Sequence, residues 1–172
     1  MSEHEPSVRR LCIAVAPGAP GLLTWIQRSE GLYRLYLMSN PAEGVEFACA
    51  APGIDEMFLV TDLITAMCRQ AISVAGLRRP ILAGFHVGFT KVVGDGLGGS
   101  GADRTLALVR DPAVKAATER DGTPALLAVA ITTGLFEELR GEGLPSHGWQ
   151  AVSTADAWLR LFDSAPAERL PP

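Results

Sequence analysis

One stretch does most to limit what this chain can fold into: GFHVGFTKVVGDGLGGSGADRTLALVRDP, residues Gly84 to Pro112. Ala83, Phe85, Val87 and Phe89 alternate with small or polar residues, the period of a strand with one buried face. This segment enters Gly94-Asp-Gly-Leu-Gly-Gly-Ser-Gly101, and a helical pattern then runs from Ala102 to Arg110. Strand, glycine-dense loop and helix start can build a small-molecule site. The first amides of a helix are bare and hold anions, and glycines let a ligand approach the backbone. The same order also serves as a plain connection. Gly94–Gly99 satisfies G-x-G-x-x-G, but dinucleotide binding needs a tight strand–helix–strand unit with an acidic residue after its second strand. Here the helix is broken and the next strand comes late, so a turn is the expectation.

The 172 residues suit one domain able to bury its own core, and a 48% hydrophobic content argues against disorder. A formal charge of −4 with no basic stripe excludes nucleic acid as an expected partner. Arg9-Arg10 and Arg78-Arg79 are isolated pairs, read as solvated strand ends. Cys12, Cys49 and Cys68 are an odd set without paired metal-ligand spacing, each in an apolar segment, which predicts buried free thiols and no structural zinc. The amino terminus MSEHEPSVRR lacks the apolar run of a signal peptide. No apolar run approaches the about 20 residues of a membrane span. A cytoplasmic location without membrane contact is the expectation.

Taken in order, residues 1–8 read as a loose arm, 9–163 as the domain and 164–172 as a tail. Leu11–Ala16 reads as a buried strand stopped by the proline and glycine of 17–21. Gly21–Met38 reads as a helix, with Leu22, Ile26, Leu32 and Leu35 near helical spacing. Val45–Ala51 and Met57–Val60 read as a hairpin with Ile54-Asp55-Glu56 at its tip. A helix capped by Thr61 or Asp62 follows and ends at Gly76, and Ile81–Val93 is a further strand. Asp111-Pro112 is an N-cap with proline at the first helical position, which predicts a second short helix. After a loop at 121–124, Leu126–Ile131 is a strand and Leu135–Arg140 a helix capped by Thr132 or Thr133. Trp149–Val152 and Trp158–Phe162 close the chain as strands. Strand, helix, strand, strand, helix, strand gives the fold class: α/β of the α+β kind, a ferredoxin-like antiparallel or mixed sheet flanked by helices, with additions at its carboxy-terminal end.

With ILAGFHVGFTKVV, GGSGADRTLALVRDPAVKAA, AVAITTGLFEEL and AWLRLF in that order, the chain resembles the class III nucleotide-cyclase homology domain, the short actinobacterial cyclase-like proteins above all. The likeness is firmest over 81–162 and looser over 9–60. It implies phosphoryl chemistry in which two aspartates hold two metal ions, and an asparagine and an arginine steady the ribose and the building charge. It also implies a site formed between two chains. Where the first aspartate would stand is Ala16, followed by Pro17; the second is matched by Asp55. The asparagine position falls on Asp103 and the arginine position on Ala107, with Arg104 and Arg110 on other faces. No lysine–aspartate pair for base recognition falls into place.

The candidate ligand-binding residues are Asp55, Glu56, His86, Asp103 and Arg104, with Asp55 also the candidate metal ligand and no residue put forward as catalytic. Each has a plainer alternative. Asp55 and Glu56 could be solvated hairpin charges, and His86, between Gly84 and Gly88, could be a hydrogen-bonded histidine beside a closely packed helix or chain. Asp103 alone would repel phosphate. Trp25, Trp149 and Trp158 suit core or interface anchors. One carboxylate cannot replace a two-metal cradle, and each lost transition-state stabiliser costs roughly 100-fold or more. The expectation is therefore a catalytically degenerate cyclase-like domain used in regulation or assembly, as a homodimer or as a heterodimer with a cyclase-like chain. The alternatives are an enzyme completed by a partner chain and a non-catalytic nucleotide sensor. Magnesium or manganese is expected only with a bound nucleotide.

Overall fold

The computed structural model describes residues 6–16, 21–30, 35–40, 44–73, 80–93, 96–119 and 125–163. The elements are β1 (Val8–Ala16), α1 (Leu22–Glu30), β2 (Leu35–Asn40), β3 (Val45–Ala50), α2 (Glu56–Ser73), β4 (Ile81–Val93) and β5 (Gly96–Gly98). There follow α3 (Ser100–Arg110), α4 (Pro112–Thr118), β6 (Leu127–Thr132), α5 (Thr133–Gly141), β7 (Gln150–Val152) and β8 (Ala157–Phe162). The first six form β-α-β-β-α-β, and their strands lie in the order β2-β3-β1-β4, the ferredoxin-like arrangement. The sheet continues through β6-β8-β7, with β5 paired to β4 at its far end. β4 and β6 are parallel; the other pairs are antiparallel.

The alternation of β1 and β4 builds two cores, one on each face. Leu11, Ile13 and Val15 of β1 and Ala83 and Phe85 of β4 face α1, α2 and α5, and bury Leu63, Met67, Phe136 and Trp149 with them. Phe136 stacks on Trp158 and tilts against Trp149, so two of the three tryptophans anchor this layer. Trp25 is 43% exposed. The opposite residues, Cys12, Ala14 and Ala16 of β1 and Leu82 of β4, meet Ala102, Leu108, Val109 and Val114 of α3 and α4. The second core is lined mostly by small side chains, so its helix lies close to the sheet. All three thiols are free and buried.

The structure corrects the sequence reading between residues 31 and 60. Leu35–Asn40 is a strand, and the hairpin is β2–β3, with Leu35 opposite Ala50 and Asn40 opposite Val45. Leu35 and Tyr36 fit a helical count from Ile26, yet Leu35 is buried, Tyr36 exposed and Leu37 partly buried, which is strand alternation once β3 lies alongside. Met57–Val60 is the first turn of α2. Asp55 stands before it as an N-cap, its Oδ1 accepting from Phe58 N at 2.8 Å, so no hairpin tip exists at 54–56. The Asp111 cap is as expected: its Oδ1 accepts from Ala113 N at 2.8 Å and Val114 N at 3.2 Å. Arg9 and Arg10 lie among the first residues of β1, paired with β4, and Arg9 is half exposed. The helix end expected at Gly76, Arg78-Arg79 and the loop at 121–124 lie outside the described residues.

Candidate functional site

The glycines of the central stretch are occupied by contact between α3 and the sheet. A Cβ on Gly84 would meet Val109 Cγ1 at 2.8 Å. One on Gly88 would meet Gly101 Cα at 2.7 Å, and one on Gly101 would meet the Gly88 backbone at 2.9 Å and Cys12 Sγ at 3.0 Å. Gly99 has φ 109°, and a side chain there would strike Phe89 O. Thr105, fully buried, donates its hydroxyl to Gly101 O at 2.6 Å and closes the same seam. Gly101 and Ala102 in the first turn of α3 are buried. The helix start packs against β4, the close-packing alternative for the small residues around His86.

His86 and Arg104 are brought together on this face. His86 Nδ1 and Thr132 Oγ1 are hydrogen-bonded at 2.9 Å, with the donor set by the ring tautomer. Burial, and then the positive charge of Arg104, pull the imidazole below its ordinary 6.5, which favours its neutral form. Arg104 Nη2 donates to Ala155 O at 2.8 Å and lies 3.6 Å from Asp156 Oδ2. Asp156 holds φ 49° after the short turn Ser153–Ala155, and its carbonyl accepts from Thr133 N. The group ties β4, α3, β6 and the β7–β8 connection together. Its cation already has a carbonyl and a carboxylate as partners. Asp103 lies one residue before Arg104 on the exposed side of α3, and Ala107 is exposed one turn further on.

Asp55 and Glu56 are elsewhere. Glu56 Oε1 pairs with Arg9 Nη1 at 3.0 Å, and Arg9 Nη2 with Glu138 Oε2 at 2.9 Å. Desolvation raises the Glu56 carboxyl against the pull of Arg9, and Glu138 and Glu142 add to the rise. This cluster borders a shallow hollow lined by Arg9, Arg10, Ala50, Gly53, Ile54 and Glu56. It lies at the start of β1, whereas Ala16 ends that strand; the seven steps from Arg9 to Ala16 span about 23 Å of extended chain. The two positions that the resemblance pairs as metal ligands are therefore not brought together.

Among the described residues, a carboxylate near the end of β1 is Glu46, which the sequence reading did not single out. Its Cα is opposite Val15, it is 7% exposed, and its Oε2 accepts from Leu23 N in the first turn of α1 at 3.0 Å. Among the described residues it is the single buried charged side chain. A helix amino terminus favours a negative charge there, and the amide satisfies one oxygen. An acidic residue at the start of an apolar strand, two residues after Gly44, was the available signal. Among the described residues, no group of three or more histidine, cysteine, aspartate or glutamate side chains could hold a metal ion. No described helix is long and apolar enough to cross a membrane.

No protein-family model matches the chain, and no curated protein does. Among solved structures, it is similar to the crystal structure of an adenylate/guanylate cyclase/hydrolase from Silicibacter pomeroyi, at 15% identity over 94% of this chain and 99% of that chain, with a TM-score of 0.47.

Proposed function

We propose that this chain is a non-catalytic domain of cyclase-homology architecture that works by assembly, as a homodimer or with a related chain, in regulation. The observation that carries this reading is the engagement of Glu46. Two-metal phosphoryl transfer needs carboxylates free to coordinate, and the cyclase resemblance puts one of them at the end of the first strand. There the chain has Ala16, and Glu46, opposite Val15, is buried and bonded to the amide of Leu23. Asp55 lies at the other end of β1 and caps α2. Assembly is supported by large apolar side chains left in solvent: Tyr36 at 50%, Phe58 at 60% and Phe89 at 55%. Side chains of this kind, when exposed, favour a protein surface over water.

The test has two arms. The purified chain is incubated with each nucleoside triphosphate plus Mg²⁺ and Mn²⁺, and cyclic nucleotide and pyrophosphate are measured; its mass in solution is measured by light scattering. No product and a concentration-dependent dimer are expected. Product that is lost in Asp55→Asn, which keeps the helix cap but removes the carboxylate, overturns the reading. A thermal shift with nucleotide and no turnover would assign a sensor role instead.

A further inference from the structure

β1 and β3 place Cys12 and Cys49 directly opposite one another, Cα to Cα, in an antiparallel pair. Both side chains lie in the second core, on the α3 side of the sheet. Directly opposed residues of an antiparallel pair have Cα atoms about 4.5–5.5 Å apart, inside the range of about 4.4–6.8 Å that a disulfide bridges. The two thiols also feel one another: Cys12 is pushed up to about 12, by burial first and then by the charge Cys49 would carry. Cys68 belongs to the other core, on α2, across the sheet.

Both thiols are fully buried, and the border strand nearest to them is β2. Tyr36, half exposed, is opposite Cys49 in the register. Arg10 lies over the Tyr36 ring at 5.1 Å, and its Nη1 donates to Cys49 Sγ at 3.9 Å. The guanidinium favours the Cys49 thiolate against the burial that raises it. Cys12 is one strand further in, beneath Gly101.

We propose that Cys12 and Cys49 form a cross-strand disulfide when the protein meets a peroxide, Cys49 reacting first and Cys12 resolving. The Cys49 thiolate attacks one peroxide oxygen, the O–O bond breaks, and a sulfenic acid forms with release of one water after protonation. The Cys12 thiol attacks that sulfur as its proton passes to the departing oxygen, the S–O bond breaks, and a second water leaves. The two thiols give up two electrons and two protons and the peroxide accepts them. The bond would fasten β1 to β3 beneath Arg10 and Tyr36. This proposal is independent of the assembly reading.

The test treats the native chain with hydrogen peroxide, alkylates free thiols in denaturant and maps the peptides by mass. Two of the three thiols should be lost. The intact mass should fall by two hydrogen atoms, the Cys12 and Cys49 peptides should be joined, and Cys68 should be alkylated. Dithiothreitol should reverse the change. Cys68→Ala should keep the link, and the oxidised protein should melt at a higher temperature than the reduced one. A chain oxidised in urea supplies the control: all three pairings should appear there. The proposal is overturned if the native chain gives that same mixture, links two molecules, carries sulfinic acid at either position, or keeps all its thiols under peroxide that oxidises glutathione.

Discussion

Gly88 of β4 and Gly101 of α3 touch backbone to backbone: a Cβ on the first would stand 2.7 Å from the Cα of the second. Gly88→Ala therefore forces α3 off the sheet and opens the core that Ala102, Leu108 and Val109 fill. The expected cost is about 1–3 kcal/mol, as for other over-packed sites. Denaturant unfolding followed by circular dichroism measures it. Gly134→Ala, in open space on α5, should cost nothing comparable.

Glu46→Leu removes the acceptor for Leu23 N and leaves a buried amide unpaired, which costs about 1–3 kcal/mol. Glu46→Gln keeps an acceptor oxygen in place and should fall well below that. Comparing the two midpoints in urea separates loss of the hydrogen bond from loss of the charge. If the two variants are equally destabilised, the charge at the amino terminus of α1 is the larger contribution.

Asp55→Ala should cost about 1 kcal/mol through loss of the α2 cap, and Asp55→Asn close to nothing, because asparagine caps as well as aspartate. Thermal melts of the two proteins decide the matter. Equal destabilisation would mean that the carboxylate has a role beyond accepting from Phe58 N.

His86 gives the chain a pH dependence of known sign. Its folded-state pKa lies below 6.5, so in the window beneath 6.5 the unfolded chain binds more protons than the folded one. The stability it contributes is full above pH 6.5 and is lost as pH falls through that window. Carboxylates titrate nearby, so the measurement is a difference. The unfolding free energy of His86→Gln, followed from pH 7.5 to 5, should decline less steeply than that of the parent chain.

The parts of the fold written in short-range pattern were legible. The alternation of Phe85 and Val87, the short apolar run at Leu11–Ala16 and the Asp111-Pro112 cap each depend on neighbours in sequence, and each took the form expected. Residues 35–40 were not, because Leu35 satisfies either period until β3 is beside it. Met57–Val60 misled for a related reason: a four-residue apolar run suits a strand or a helical turn, and the cap on Asp55 decides it. The order of elements nevertheless came out right, since one misplaced strand stood in for another.

The candidate residues divide the same way. His86 could be suspected from its small neighbours, but its bond to Thr132 joins positions 46 residues apart. Glu46 and Leu23 are 23 residues apart, and the Cys12–Cys49 juxtaposition follows from the β1–β3 register. Composition and spacing carry no trace of such pairings; only the closed sheet creates them.

Among the described residues, helices cover both faces of the sheet, and β2 and β7 are its two border strands. The β7 rim is three residues long and offers few free amides and carbonyls; the β2 rim is six, and Tyr36 stands on it half in solvent. Of the two borders among the described residues, β2 offers the longer one to an added strand, beside the arginine that lies over Cys49. Growth of the sheet and the chemistry of its sulfur would then compete for one border.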